Sequence, residues 1–333
     1  MKKVHAFAKE YNIPCDSRPS DTVDIIYDQA IWDESVKAIE MIRRAMPLGH
    51  PAARYIMWSS KDAEKRFLCK GAVGAITYEA GSVSSYKFVI GVLKLGLQMG
   101  LNLQTNTPVT QLSKTPGGWE VTTARGTIKA PKVILATNGY TAAVYPKLQG
   151  TIVPLRGQIT AHRPGTSMPR AGLDTTYSFI YAKGFEYMIP RPQGAKWAGD
   201  IVIGGGLTKC EDDGINQYGT TDDTVVDSDI NAYLEQSTRM FFGENWGDDH
   251  PDGRIRKAWS GIMGYSADLH PLVGEMPGEK GLYISASFQG HGMFSLLMHL
   301  PLSSATDILF PSWRRRHGPG LPLCAGPYKY LLW

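Results

Sequence analysis

Polar and apolar residues alternate through Thr22-Val23-Asp24-Ile25-Ile26, the two-residue period of a strand. A helix is expected over residues 33–46, where Val36, Ile39, Met41 and Ile42 recur near helical spacing and Asp33 stands at the N-cap. Pro47 and Gly49 end it. A second helix is expected over residues 86–99, carried by Phe88, Val89, Val92, Leu93 and Leu97 and closed by Gly100. A short strand over 101–104 should follow. Segments 109–112, 119–123 and 127–129 read as an antiparallel meander with turns at Pro116-Gly117-Gly118 and Arg125-Gly126. The apolar run Lys132-Val133-Ile134-Leu135-Ala136-Thr137 predicts a strand buried on both faces, ending at Asn138-Gly139.

From about residue 150 to 257 the texture changes. Segments 152–162, 178–182, 186–190 and 200–204 read as strands of a larger sheet, and residues 225–242 supply one amphipathic helix. A strand is expected again over 281–287, followed by Phe288-Gln289-Gly290-His291-Gly292-Met293 and a helix start. No internal repeat is visible. The last thirty or so residues show no periodicity and are assigned no element.

Composition narrows the class. The 333 residues are 43% hydrophobic and 20% charged, ordinary for a globular protein and long enough for two domains. The net charge of +4 is spread along the chain, which argues against nucleic acid as a partner. The one dense basic run, Arg314-Arg315-Arg316, reads as a solvated tail. Cys15, Cys69, Cys210 and Cys324 lie far apart without a CxxC pair, so no metal site and no disulfide framework is expected. No apolar run spans a membrane, and Lys2-Lys3 precede no apolar stretch of the signal-peptide kind. A reduced, cytoplasmic protein is the expectation.

Two turns carry candidate chemistry. In VILATNGYT a buried strand delivers Thr137-Asn138-Gly139 at its carboxyl end, where open α/β sheets bind nucleotides; the bland alternative is any parallel strand closed by a glycine turn. In FQGHGM, Gly290 and Gly292 leave backbone around His291 unobstructed at an expected helix N-terminus, which favours anions; the alternative is a surface-loop histidine. Ile203-Gly204-Gly205-Gly206-Leu207-Thr208-Lys209 superficially suggests a phosphate loop, and with it a nucleotide hydrolase. The GxxxxGK[ST] spacing is not met, so a strand-end turn is the better reading.

Together with WSGIMGYSADLHPLVGEMP and GLYISASFQGHGM, the segment VILATNGYT resembles the FAD-dependent oxidoreductases of the D-amino-acid oxidase, glycine oxidase and sarcosine oxidase superfamily, over about residues 11–293. The resemblance implies a mixed α/β fold in which an incomplete Rossmann-like FAD-binding domain is interleaved with a β-sheet-rich substrate domain. Residues 1–80 and 150–256 then form the substrate domain, 81–149 and 257–300 the FAD-binding domain, and 301–333 a divergent tail. It implies that Val109 meets the adenine, that Ala136, Thr137, Asn138 and Gly139 form a turn near the cofactor, and that Gly290, His291, Gly292 and Met293 lie against the isoalloxazine, where they could stabilise the negative charge of a reduced flavin.

The implied chemistry is oxidation of the C–N bond of an amine or amino acid by hydride transfer to non-covalent FAD. Tyr187 and Arg191 are the candidate substrate contacts and, with His291, the candidate catalytic residues. The stretch Ile262-Met263-Gly264-Tyr265, where amino-acid-oxidising relatives often carry an arginine, is apolar here, which leaves a simple or extended amine open as substrate. The family's opening GxGxxG turn, its ribose-binding acid and its Arg-Asn-Gly-Gly loop have no match in this sequence, and Pro301 interrupts the helix expected after Met293. A truncated product is therefore one expectation, and a non-catalytic remnant acting as a folded binding module is the alternative reading.

Overall fold

The computed structural model of the chain describes residues 2–292. The elements open with α1 (Lys2–Glu10), β1 (Arg18–Ile26), α2 (Gln29–Ala45), β2 (Ile56–Ser59), α3 (Ser60–Phe67), β3 (Gly74–Ser82) and α4 (Ser85–Gln98). The meander β4 (Val109–Thr115), β5 (Gly118–Thr123) and β6 (Gly126–Ala130) precedes β7 (Val133–Leu135) and a single helical turn, α5 (Thr141–Val144). Then come β8 (Val153–His162), β9 (Thr176–Tyr181), β10 (Gly184–Pro190), β11 (Ile201–Gly204), α6 (Ser228–Phe242) and β12 (Ile255–Tyr265). Strands β13 (Leu272–Glu275) and β14 (Leu282–Ala286) close the described chain. The fold is mixed α/β. Two compact units interleave along it: one takes the chain up to residue 95 with 157–217 and 222–261, the other 96–156, 218–221 and the chain from 262.

The first unit is built on an eight-stranded mixed sheet of order β12-β8-β11-β10-β9-β1-β3-β2. Strand β1 runs parallel to β9 and antiparallel to β3, so the sheet's centre joins distant parts of the chain. Side chains alternate between faces along each strand. One face carries Val23, Ile25, Ala75, Tyr177, Phe179, Met188, Ile201 and Ile203 into a core closed by Phe67 of α3, Phe241 and Phe242 of α6, and Trp246. Burying each such large apolar side chain stabilises the fold by about 1.5–3 kcal/mol. The opposite face is covered at one end by α2, whose Ile31, Trp32 and Ile39 pack on Ile26, Ile76 and Ile180.

Covering both faces explains a departure from the sequence pattern. Residues 22–26 alternate in polarity, yet all five are buried. Asp24 thus lies inside, between Tyr78, whose hydroxyl donates to Asp24 Oδ1 at 3.4 Å, and its register partner Ser178. Desolvation pushes its carboxyl up to about 7, against weaker opposing hydrogen bonds from Ser178 and Tyr78. His162, at the end of β8, is equally enclosed. Its ring nitrogens meet Thr160 Oγ1 at 2.8 Å and Thr238 Oγ1 at 2.7 Å. Burial first, then the nearby Arg254 charge, lower its pKa to about 3.

The second unit contains the meander and a three-stranded sheet of order β13-β14-β7. Trp119 of β5, Leu135 of β7, Leu282, Ile284 and Ala286 of β14, and Tyr145, Leu148 and Ile152 form its core. Trp119 Nε1 donates to the Lys280 carbonyl at 3.1 Å, which ties the meander to the turn before β14.

Three sequence expectations shift. Helix α2 begins at Gln29 rather than residue 33: Asp28 caps it by accepting from Ile31 N at 3.0 Å, while Asp33 accepts from the Gln29 side chain one turn earlier. The cap moves because Ile31 and Trp32 are needed against the sheet. Residues 101–104 form no strand; Leu101 and Leu103 are exposed, and no described strand lies beside them. The run at 132–137 becomes the three-residue β7, with only Leu135 fully buried; among the described residues β7 is an edge strand paired with β14 alone. The other strands and helices expected up to residue 287 form within a few residues of their predicted limits, and the helix expected after Met293 lies outside the described residues. Met293, Pro301 and the tail from 301 to 333 lie outside the described residues.

Asp24 and His162 act on stability with opposite signs. Asp24 holds its proton better folded than unfolded, so its contribution falls as pH rises from about 3.8 to 7. His162 resists protonation when folded, so its contribution is lost as pH falls from 6.5 towards about 3. The two slopes offset one another where they overlap. Asp24→Asn is expected to stabilise the protein by about 2–4 kcal/mol at pH 8 and to expose a stability that rises with pH below 6.5. His162→Gln should leave a stability that falls instead. Urea unfolding at a series of pH values reads both, and parallel profiles for the two variants would contradict the assignment.

Candidate functional site

Strands β7 and β14 are parallel neighbours, pairing Val133 with Leu282 and Leu135 with Ile284. Both therefore leave the sheet at the same end, the carboxyl end at which open α/β sheets collect ligands. Asn138 follows β7 and Ser287 follows β14. The two turns are joined by one carboxamide: Asn138 Oδ1 accepts the backbone N–H of Ser287 at 3.0 Å and of Phe288 at 3.2 Å. Asn138 has φ 43°, in the left-handed region that asparagine tolerates better than most residues. Behind it, Thr141 Oγ1 donates to the Asn138 carbonyl at 2.7 Å and contacts Thr137 Oγ1 at 2.9 Å, which fixes the turn from the other side.

The end of β12 closes against this pair of turns. A Cβ on Gly139 would stand 2.5 Å from the Met263 carbonyl oxygen, and one on Gly264 would stand 2.9 Å from Gly139 N. Met263 main chain thus holds position 139 to glycine, and the main chain of Asn138 and Gly139 holds position 264 to it. Gln289 completes the floor. Its backbone N–H donates to the Gly264 carbonyl at 3.1 Å, and its Nε2 donates to Ser266 Oγ at 3.0 Å and to the Ser287 carbonyl at 3.0 Å. A carbonyl can only accept, so the amide orientation is fixed. The Gln289 carboxamide oxygen is left buried without a hydrogen-bond partner among the described residues.

Above this floor the backbone turns through Ser287 (φ 63°), Gln289 (φ 53°) and Gly290 (φ 80°). His291 N donates to the Phe288 carbonyl at 2.7 Å, and His291 Nδ1 lies 2.8 Å from the Gln289 carbonyl. That carbonyl requires the proton on Nδ1, so the neutral ring carries its lone pair on Nε2. At both glycines a Cβ would meet its neighbours at ordinary contact distance. The nearest atom to a Cβ on Gly290 would be Met263 Sδ at 3.7 Å, and on Gly292 it would be Phe288 Cβ at 3.8 Å. Gly290 is exposed, and His291 and Gly292 are half-buried.

Of the residues expected from sequence, Asn138, Gly139, Gly290, His291 and Gly292 lie in the second unit around this clamp, with Thr137 supporting it. Ala136 is exposed just beyond β7, and Val109 opens β4 at the meander's edge, paired with Thr123. Met293 lies outside the described residues. Tyr187 and Arg191 belong to the first unit. Tyr187 lies on β10 with its ring over Gly204, where a Cβ would come within 2.6 Å of the phenol. Arg191 stands just past the end of β10. Sequence reasoning missed Met263, Gly264, Ser266 and Gln289. Gly264 was the available signal, since a glycine inside a strand marks close backbone approach. The glycine run after β11 is structural: a Cβ on Gly205 would meet the Phe185 carbonyl at 2.6 Å, and Lys209 Nζ sits over the rings of Tyr181 and Tyr233.

The profile of the FAD dependent oxidoreductase family (DAO) matches residues 1–298. The chain belongs to this family. It is 22% identical over 249 residues to the glycine oxidase of Geobacillus kaustophilus (strain HTA426), an alignment covering 74% of this chain and 59% of the relative. It is 24% identical over 237 residues to the probable oxidoreductase OrdL of Rhizobium meliloti (strain 1021), covering 68% and 49% respectively. The chain thus spans roughly half the length of these curated relatives. Its fold matches the crystal structure of glycine oxidase from Geobacillus kaustophilus with a TM-score of 0.71 at 18% identity, over 92% of this chain and 77% of the other. The iminodiacetate oxidase (IdaA) of Chelativorans sp. BNC1 aligns with a TM-score of 0.67 at 18% identity, over 88% and 74%.

The residues present fit the flavin end of the family's cofactor. A planar ring needs a flat approach to main chain; Gly290 and Gly292 carry no side chain of their own there, and Gly290 is exposed. The left-handed backbone holding that loop is fixed by Asn138 and Gln289 rather than by chance packing.

Asn138→Ala would orphan two backbone donors and is expected to cost about 2–3 kcal/mol, read as a fall in Tm. Asn138→Asp keeps an acceptor at the same place and should lose far less. Equal losses in the two variants would show that the clamp does not depend on that oxygen.

Proposed function

We propose that this FAD-dependent oxidoreductase oxidises the C–N bond of an amine or amino acid, holding FAD non-covalently. When bound, FAD supplies the hydride acceptor that turns such a bond into an imine. The observation that carries the reading is the clamp of Asn138 on Ser287 and Phe288, which presents Gly290, His291 and Gly292 together at the carboxyl end of two parallel strands. The glycine oxidase and iminodiacetate oxidase among its relatives and structural neighbours support the substrate class.

The chain's own residues take three roles in this reading. Gly290 and Gly292 give the isoalloxazine a backbone surface. His291, its tautomer fixed by the Gln289 carbonyl, offers Nε2 as the site that takes a proton, so that the amine is oxidised in its neutral form. Tyr187 and Arg191 take the polar groups of the substrate, Arg191 through the planar fork that matches a carboxylate. Arg191 fits that task because its side chain has no hydrogen bond or ion pair among the described residues, and its Nε is buried without a partner. A cytoplasmic setting is supported by the buried free thiols of Cys15 and Cys69.

Protein produced with flavin available should be yellow and should consume dioxygen with some primary or secondary amine. Arg191→Gln is expected to lower kcat/KM for carboxylated amines about 10- to 100-fold more than for plain amines, the worth of one charge-assisted hydrogen bond. A colourless protein that rejects added FAD contradicts the oxidase reading; equal losses for both substrate classes reject the role of Arg191.

A further inference from the structure

The turn joining β10 to β11, residues Arg191 to Asp200, is firmly built. Arg191 N donates to the Asp200 carbonyl at 2.8 Å and Gly199 N to the Arg191 carbonyl at 3.0 Å. Asp200 N returns to the Trp197 carbonyl at 3.1 Å, and Gln193 Nε2 anchors the turn to the Ala171 carbonyl at 2.8 Å. Out of this turn projects Trp197, 45% exposed. Three cations gather on its indole: Lys196 Nζ lies 4.3 Å from the ring centroid, Arg256 Cζ 4.9 Å and Arg191 Cζ 5.5 Å.

Only one of the three is neutralised. Arg256 forks buried Asp200 through Nε and through Nη2, the latter at 3.2 Å. Arg191 and Lys196 have no acidic partner among the described residues. Two uncompensated cations beside a third, on one ring, repel one another. The indole face offsets part of that cost through cation–π attraction of about 0.5–1 kcal/mol each at such exposure. An oxyanion would remove the rest and would supply the acceptors that the Arg191 fork lacks.

The reading above gives Tyr187 and Arg191 to polar groups of one substrate, so their separation sets that substrate's length. Tyr187 and Arg191 are four residues apart, about 13 Å in an extended chain. The Tyr187 ring leans over Gly204, while the Arg191 guanidinium turns to Trp197. No amine as small as glycine spans the two. We propose that the Lys196, Trp197 and Arg191 cluster is a subsite for a distal carboxylate, and that the substrate is an extended amine carrying an acid group at the end remote from the C–N bond oxidised. The inference rests on the amine-oxidase reading above for the chemistry, and on the first unit alone for the subsite.

The test uses the full chain and a matched pair of probes: aminosuberate, an amino acid whose side chain ends in a second carboxylate, and aminooctanoate, of the same length without it. Binding is measured by isothermal titration on the wild type and on Lys196→Gln, Trp197→Leu and Arg191→Gln, each first shown to melt within a few degrees of wild type. The wild type should bind aminosuberate at least about tenfold more tightly, Lys196→Gln and Arg191→Gln should each lose most of that preference, and high salt should weaken it. Exposed Lys196 is free to change without loss of fold, so its variant decides the matter if the others unfold. Equal binding of the two probes, or a preference intact in Lys196→Gln and Arg191→Gln, overturns the subsite. Dioxygen consumption separates the two readings. Preferential binding without oxidation of either probe leaves the subsite standing and removes the oxidase reading; equal oxidation of both, with equal binding, does the reverse.

Discussion

One carboxamide oxygen organises the second unit. Parallel strands β7 and β14 bring two turns to the same end of a small sheet, but adjacency alone does not fix their conformations. Asn138 does so by accepting from consecutive backbone N–H groups of the opposite turn, and it can reach them because it is itself left-handed. Gly139 and Gly264 then pack main chain on main chain, which admits no side chain on either partner. Gln289 continues the same logic through its backbone and its carboxamide. The loop Gly290-His291-Gly292 is held in place because the turn beneath it is fixed by hydrogen bonds of set direction.

The first unit solves a different problem. Its large sheet must be covered on both faces, so polar positions that would face water in a simpler sheet are enclosed. Asp24 and His162 are the result, each shifted towards its neutral form by burial and each titrating in the direction opposite to the other. The remaining part of the sheet ends in a rim where charge is concentrated, with Asp200 binding Arg256 while Arg191 and Lys196 rest against Trp197.

Much of this was legible in the residues. The meander, the strands of the large sheet and helices α4 and α6 follow from period and turn chemistry, since glycine turns and amphipathic faces are local properties. The limits of α2 were not, because the choice between Asp28 and Asp33 as cap depends on Ile31 and Trp32 finding the sheet. The short β7 was not, because an apolar run does not tell whether a strand has neighbours on one side or two. The burial of Asp24 was hidden because alternation does not tell whether one face of a sheet is covered or both. At the site, VILATNGYT and FQGHGM stood out by glycine and asparagine content, whereas Ser266 and Gln289 act through contacts between segments remote in sequence. The gathering of Lys196 and Arg256 on Trp197 is likewise invisible until β10, β11 and β12 are assembled.

In the proposed reading the clamp serves the family's planar cofactor, which needs a backbone surface that does not move. The most direct test is a crystal structure of the protein grown with FAD. The account predicts isoalloxazine density in van der Waals contact with the main chain of Gly290 and Gly292, with the Asn138 hydrogen bonds to Ser287 and Phe288 retained. Density for the ring elsewhere, or a loop at 287–292 rearranged with Asn138 detached, would contradict it.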